Sequence, residues 1–356
     1  MKAFINGMGN ISPQKSWGID SLLADPIAYE GTRLTCVEPD YTQWIDPKQL
    51  RRMSRIIKMG ITASMMAMKQ AGVEKPDGII VGTGYGCLED TGIFLSKMIE
   101  NREEALNPTP FIQSTHNTIG GQIALLLQCQ AYNQTYAHRS FSFENSLLDA
   151  LLHFTDAPGS QLLVGGVDEI TGISHTIQSR MGLFKRKAVS SLDLFTTHSR
   201  GTLNGEGSTF FLLSGIQDEQ SVASVEAVTT FFKPTTEELI KGISDFLRHA
   251  NLTSAEIDFV LLGKSGDQDA DGVIGQIASL HFSTNATGVF KHLSGEYPTA
   301  SAFALWLAAK MMAENKIPPI VSVNPMIRPI KTILVFNSYF GHHHSLMLLR
   351  TCRDTQ

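Results

Sequence analysis

A layered α/β fold made of two similar halves is predicted by three features of this 356-residue chain. Short apolar runs of strand length recur and exit into glycine-rich turns. Stretches of helical periodicity alternate with those runs. The alternation is also traversed twice, over residues 1–215 and more loosely over 216–356, with no Pro/Gly/Ser-rich linker between them. Strand-then-helix order implies sheets covered by helices, so the two halves are expected to form one compact body.

The elements follow in order. Residues 2–5 form an opening apolar strand. Asp46-Pro47 starts a helix to about Gln70, with proline where its missing N–H is harmless. GIIVGTG (78–84) is a buried strand with a glycine exit, and helices are expected over 90–100 and 118–127. The extended piece 133–138, a helix over 142–154 and the strand QLLVGG (161–166) make a β-α-β unit, and STFFLLS (208–214) adds a strand. In the second half a strand at 222–232 leads to the helix TEELIKGISDFLRHA (236–250). DFVLLGKSG (258–266) is again a strand with a glycine exit. Helices near 271–281 and 298–313 alternate with strands at 287–290, 333–338 and 345–349.

Composition sets bounds on function. With 42% hydrophobic and 18% charged residues the chain can bury an ordinary globular core. A net charge of −5 argues against general nucleic-acid binding, which wants a basic surface. Lys185-Arg186-Lys187 reads as a solvated loop. Cys36, Cys87, Cys129 and Cys352 are scattered without a CxxC pair and read as reduced, mostly buried thiols of a cytoplasmic protein. The opening MKAFINGMGN lacks the apolar core of a signal peptide, and the apolar helix near 300–313 is too short to span a bilayer. Gly82-Thr83-Gly84-Tyr85-Gly86 departs from a dinucleotide loop in spacing, and Glu89-Asp90 would repel a pyrophosphate, so tight backbone packing is its expected use. His342, His343 and His344 fall on opposite faces of a strand, which suits no metal. No cofactor and no metal are expected.

The segment NQTYAHRSFSFENSLLDA (133–150) has the form of a strand-to-helix elbow, where the helix N-terminus favours negative charge. In the order of the chain, Asn133, the elbow at Ser140, a helix ending LLDA, GGVDE (165–169) and HSRGTLNGEGSTFFLL (198–213) resemble the β-ketoacyl synthase family of condensing enzymes. The resemblance continues through IDFVLLGKSGDQDAD (257–271), KHLSGE (291–296) and FNSYFG (336–341), so it spans nearly the whole chain. It implies a thiolase-like fold with duplicated halves in an α-β-α-β-α sandwich, paired as a dimer. It also implies a cysteine nucleophile and two histidines that stabilise the oxyanion formed as carbon dioxide leaves a malonyl unit on acyl carrier protein.

All three catalytic positions depart from that pattern. The cysteine position holds Ser140, the first histidine position Gly263 and the second Glu296, while the lysine, Lys291, and the asparagine-serine pair, Asn337-Ser338, remain. A serine hydroxyl needs an adjacent base, Gly263 has no side chain, and a carboxylate at 296 would oppose a developing enolate. The resemblance therefore implies a non-catalytic subunit like the chain length factors of type II polyketide systems, similar to the ketosynthase-like subunits of aryl-polyene and flexirubin-type clusters. Such a subunit would pair with an active ketosynthase, with acyl carrier protein as a further partner, and Phe111, Ile112, His116 and Asn117 would line or close the shared tunnel. Two alternatives stay open: an acyltransferase, decarboxylase or hydrolase using Ser140 with Glu296 or His138 as base, and a homodimeric module that binds carrier protein.

Overall fold

Two segments with different patterning set the layers. The stretch ASAFALWLAAKMMAE is apolar around its whole circumference and forms a helix, Ala300–Glu314, buried on every side. TEELIKGISDFLRH carries one apolar stripe, starts with the Thr235/Glu238 capping box and forms an outer helix, Thr236–His249. The computed structural model describes residues 2–18, 21–324 and 329–352.

In chain order the elements are β1 (Ala3–Ile11), β2 (Glu30–Gly31), α1 (Pro47–Leu50), α2 (Arg55–Ala71), β3 (Gly78–Gly82), α3 (Leu88–Glu100), α4 (Pro108–Gln113), α5 (Thr118–Leu126), β4 (Tyr132–Tyr136), α6 (Ser142–Asp156), β5 (Gln161–Asp168), α7 (Gly172–Arg180), β6 (Val189–Ser190) and β7 (Gly207–Ser214). They continue with β8 (Ala223–Phe232), α8 (Thr236–His249), β9 (Phe259–Leu262), α9 (Gln268–His281), β10 (Ala286–Val289), α10 (Lys291–Ser294), α11 (Ala300–Glu314), β11 (Thr332–Tyr339) and β12 (His343–Thr351). Ten strands join in the order β10-β9-β11-β12-β8-β1-β7-β5-β3-β4, with β2 and β6 as a separate ribbon. The strands before residue 215 and those after it repeat one arrangement, and they meet where Ala3–Ile5 pairs antiparallel with Ala223–Val225.

α6 and α11 pack between the sheet segments, so the main core runs from Phe143, Leu147 and Phe154 to Phe303, Trp306 and Met311. α2 and α5 cover the outer face of the first half, and α8 and α9 that of the second. No helix among the described residues is long and apolar enough to cross a membrane.

The structure corrects several readings. The helix expected from Asp46 to Gln70 is two: Pro47–Leu50 ends after one turn, and Ser54 starts Arg55–Ala71. The strand of DFVLLGKSG ends at Leu262, and its glycine exit, residues 263–267, turns into the N-cap of α9 at Asp267. Lys185 is buried rather than solvated, and its Nζ donates to the carbonyls of Ser199 (2.9 Å) and Gly266 (2.6 Å). Helices α4 and α7 had no expectation: α4 begins Asn107-Pro108, and α7 carries a Thr171/Ser174 capping box.

Candidate functional site

The elbow forms as the sequence suggests. β4 ends at Tyr136, a single 3-10 turn covers Arg139–Phe141, and α6 starts at Ser142. Arg139 takes the left-handed conformation (φ +47°), which swings the chain so that its own side chain faces out and Ser140 faces in. Ser142 Oγ accepts from His138 N (2.8 Å) and lies 2.7 Å from the Arg139 carbonyl, which ties the turn to the helix. Gly82 presses on the same place; a Cβ there would lie 2.6 Å from the Ser142 carbonyl. Ser140 is 1% exposed and its Oγ has no hydrogen-bond partner. His138 stacks its ring on Phe141 (5.6 Å) instead of bonding Ser140. The elbow thus presents a hydroxyl without the adjacent base that serine chemistry needs.

Gly263 is tightly enclosed. A Cβ on Gly263 would meet Asn337 Oδ1 at 2.7 Å, Asn337 Cα at 2.8 Å and the Ser338 nitrogen at 2.9 Å. The retained Asn337 and the β11 backbone fill the space that a histidine would need. Asp271 fixes the loop that follows, accepting from the nitrogens of Ser265 (2.7 Å) and Gly266 (2.8 Å).

Glu296 is likewise held in place by a partner. It is wholly buried, and Lys291 Nζ donates to both its oxygens, at 2.9 and 2.8 Å. Lys291 also donates to the Ser338 carbonyl, so one ammonium joins α10 to the end of β11. Burial pushes the Glu296 carboxyl up to about 7, against the pull of Lys291. The cavity that Glu296 lines with Tyr85, Asn204, Tyr297 and Tyr339 has about 20 Å³, room for one water and not for an acyl group.

One buried acid escaped sequence reasoning. Glu144 lies in the first turn of α6, fully buried, and Ser345 Oγ donates to its Oε1 at 2.7 Å while Oε2 has no partner. Burial lifts its carboxyl to about 7. The available signal was a carboxylate four residues after Ser140, on the inward face of an amphipathic helix. Because the folded chain holds this proton more tightly than the unfolded chain, Glu144 lowers stability as pH rises from the usual carboxylate range through about 7. Glu144→Gln is expected to match the parent at pH 5 and to exceed it by about 1–3 kcal/mol at pH 8, read by urea denaturation at both pH values.

The remaining candidates lie apart from this centre. Phe111 and Ile112 are 55% and 62% exposed on α4, and His116 and Asn117 sit on the exposed turn before α5, so the four line an outer surface. The glycine-rich exit of β3 serves packing. Asp168 accepts from Gly84 N (2.8 Å) and Thr299 Oγ1 (2.8 Å), and a Cβ on Gly84 would strike Pro298 at 2.3 Å. Gly84→Val is expected to cost about 2–4 kcal/mol through that overlap, measurable by chemical denaturation. No metal-binding group of histidine, cysteine and acidic residues occurs among the described residues.

Comparison with known proteins places this geometry. A model of the β-ketoacyl synthase N-terminal domain matches residues 6–218. The ishigamide ketosynthase/chain length factor superposes with a TM-score of 0.83 at 18% identity, over 99% of each chain. A β-ketoacyl synthase from Burkholderia phymatum STM815 gives 0.80 at 16%, covering 99% of this chain and 100% of that one. The ketosynthase ApeO in complex with its chain length factor ApeC, from Xenorhabdus doucetiae, gives 0.77 at 14%, over 98% of each chain. A search of curated proteins gives no match. The fold is thiolase-like, and the chain belongs to the β-ketoacyl synthase family.

Proposed function

We propose that this chain is a non-catalytic ketosynthase-like subunit, a chain length factor, that pairs with an active β-ketoacyl synthase and shapes the tunnel for its growing acyl chain. The carrying observation is that none of the three positions the family uses for catalysis presents the group its chemistry needs. Ser140 is buried without a base, Asn337 fills the space beside Gly263, and Glu296 is locked to Lys291. A thiolate and two donors to an enolate have no place here. The repeated strand arrangement supports reading residues 1–215 and 216–356 as two related halves of one body.

Pairing is supported by the surface around β4. This strand ends the ten-stranded sheet, with no further strand beside it among the described residues and with Tyr132, Asn133 and Gln134 exposed. The helices that touch it carry exposed apolar side chains, Leu125 at 73% on α5 and Leu152 at 70% on α6. A bare sheet edge flanked by apolar helices is a surface proteins normally cover. An aryl-polyene or similar polyketide pathway is the preferred setting, with acyl carrier protein engaged through the pair.

Co-expression with a candidate active ketosynthase tests the reading: the two are expected to co-purify. Leu125→Arg is expected to weaken pairing about 100-fold by forcing a charge into a dry contact, while the isolated chain keeps its fold. Changes of size at Phe111 and Ile112 are expected to shift product length; unchanged lengths would remove the tunnel role. An acyl adduct seen by intact mass and abolished by Ser140→Ala would instead favour the serine enzyme.

A further inference from the structure

A serine and a lysine outside the elbow stand as a nucleophile and its base would. Lys185 is 5% exposed, and no carboxylate is among the hydrogen-bond partners of its Nζ. That nitrogen lies 2.9 Å from the Ser199 carbonyl, 2.6 Å from the Gly266 carbonyl and 2.9 Å from Ser199 Oγ. The two carbonyls can only accept, whereas the hydroxyl can also donate. A neutral amine therefore fits the place as well as an ammonium does: its two N–H groups go to the carbonyls and its lone pair accepts from Ser199 Oγ. Burial holds the Lys185 ammonium below the usual lysine range, against the charges of Asp267 and Asp271. Buried lysines of this kind can act as general bases.

Both members sit on tied backbone. Ser199 forms a parallel bridge with Asp267, its carbonyl accepts from Gln268 N (3.2 Å), and Lys185 N donates to the Thr202 carbonyl (2.9 Å). Ser199 is exposed and, with Lys185, lines an open groove of about 830 Å³. Arg186, Lys187, His198 and Arg200 line the same groove, and no carboxylate does among the described residues. Arg200 reaches Asp269 at 2.9 Å, outside the lining, which leaves the groove itself cationic. Here, unlike at Ser140, a serine hydroxyl has the adjacent base that its chemistry needs. The cations around it suit an anionic substrate and the oxyanion that forms when an ester is attacked.

We infer that Ser199 and Lys185 form a nucleophile–base pair that hydrolyses an acyl ester bearing a negative charge. Ser199 Oγ attacks the ester carbonyl carbon as its proton passes to the Lys185 amine. The C–O bond to the alcohol breaks, and the alcohol leaves with that proton. Water then attacks the acyl-Ser199 ester, giving a proton to the same amine, which returns it to Ser199 Oγ as the carboxylic acid departs. The reaction is not a condensation, and it depends neither on Ser140 nor on pairing with a ketosynthase.

Release of the nitrophenol by the full chain from 5-butyryloxy-2-nitrobenzoate and from 4-nitrophenyl butyrate tests it, with intact mass after acid quenching. The two esters share an acyl group and differ in the charge of the alcohol. The anionic ester is expected to turn over at least tenfold above the buffer blank and tenfold faster than the neutral one, with the advantage shrinking as salt rises. The rate above the blank should rise between pH 6 and 8, because only the neutral amine takes the serine proton. Ser199→Ala, a change at an exposed side chain that keeps the fold, should return the rate to the blank and remove the acyl adduct. Lys185→Met should cut the rate at least 100-fold and flatten the pH profile. Turnover equal to the blank, an adduct or turnover that persists in Ser199→Ala, or equal rates for the two esters overturns the inference.

Discussion

Ser140→Cys combined with Glu296→His is expected to leave the isolated chain unable to elongate an acyl thioester. The two changes restore the sulphur and one imidazole, yet the first histidine position stays closed. Each missing oxyanion donor is worth roughly 100- to 1000-fold in rate. Adding Gly263→His brings its Cβ to 2.7 Å from Asn337 Oδ1, so the third change displaces β11 or fails to fold. Glu296→His also removes the salt-bridge partner of the buried Lys291 ammonium. Product mass analysis of synthase-free protein reads the outcome. Elongation above the blank by the double variant would show that the closed position is dispensable, and elongation by the unaltered chain would end the scaffold reading.

Lys291→Met is expected to destabilise the chain by about 3–5 kcal/mol near pH 8, the largest loss foreseen for a single substitution. The variant strands a buried carboxylate and deprives the Ser338 carbonyl of its donor. Removing both charges is a different change: Lys291→Met with Glu296→Leu should recover much of the loss, since an apolar pair needs no charge desolvated. The sign with pH follows from Glu296, which burial already raises to about 7. A protonated carboxyl needs no counter-charge, so the penalty in Lys291→Met shrinks as pH falls from 8 toward 5.5 and grows as pH rises through the carboxyl's folded value. Guanidinium unfolding at the two pH values measures this; equal penalties would mean that Glu296 stays ionised throughout.

The two predictions turn on different kinds of information in the chain. The elbow at Ser140 was legible because it is local: an extended piece, a turn and an amphipathic helix follow one another within twenty residues. α11 was legible as a run apolar all round, and the β11–β12 hairpin as two apolar strands about a histidine-rich turn. The split of the 46–70 helix was not, because its apolar periodicity continues across the break. Helix α7 was missed because the signal lay in a serine-threonine cap rather than in apolar spacing.

The linear order of motifs determined the family and the alternation of strand and helix, and it supplied the proposed place of each replaced catalytic residue, since those depend on residue type and spacing. Only the folded arrangement decided what the replacements do. Asn337 closes the place beside Gly263 from 74 residues away, Lys291 neutralises Glu296, Ser345 satisfies half of Glu144, and Lys185 turns inward to two carbonyls. The first is a steric contact and the other three are pairings of polar groups taken from water together, and the energy of each depends on distances that spacing along the chain does not specify.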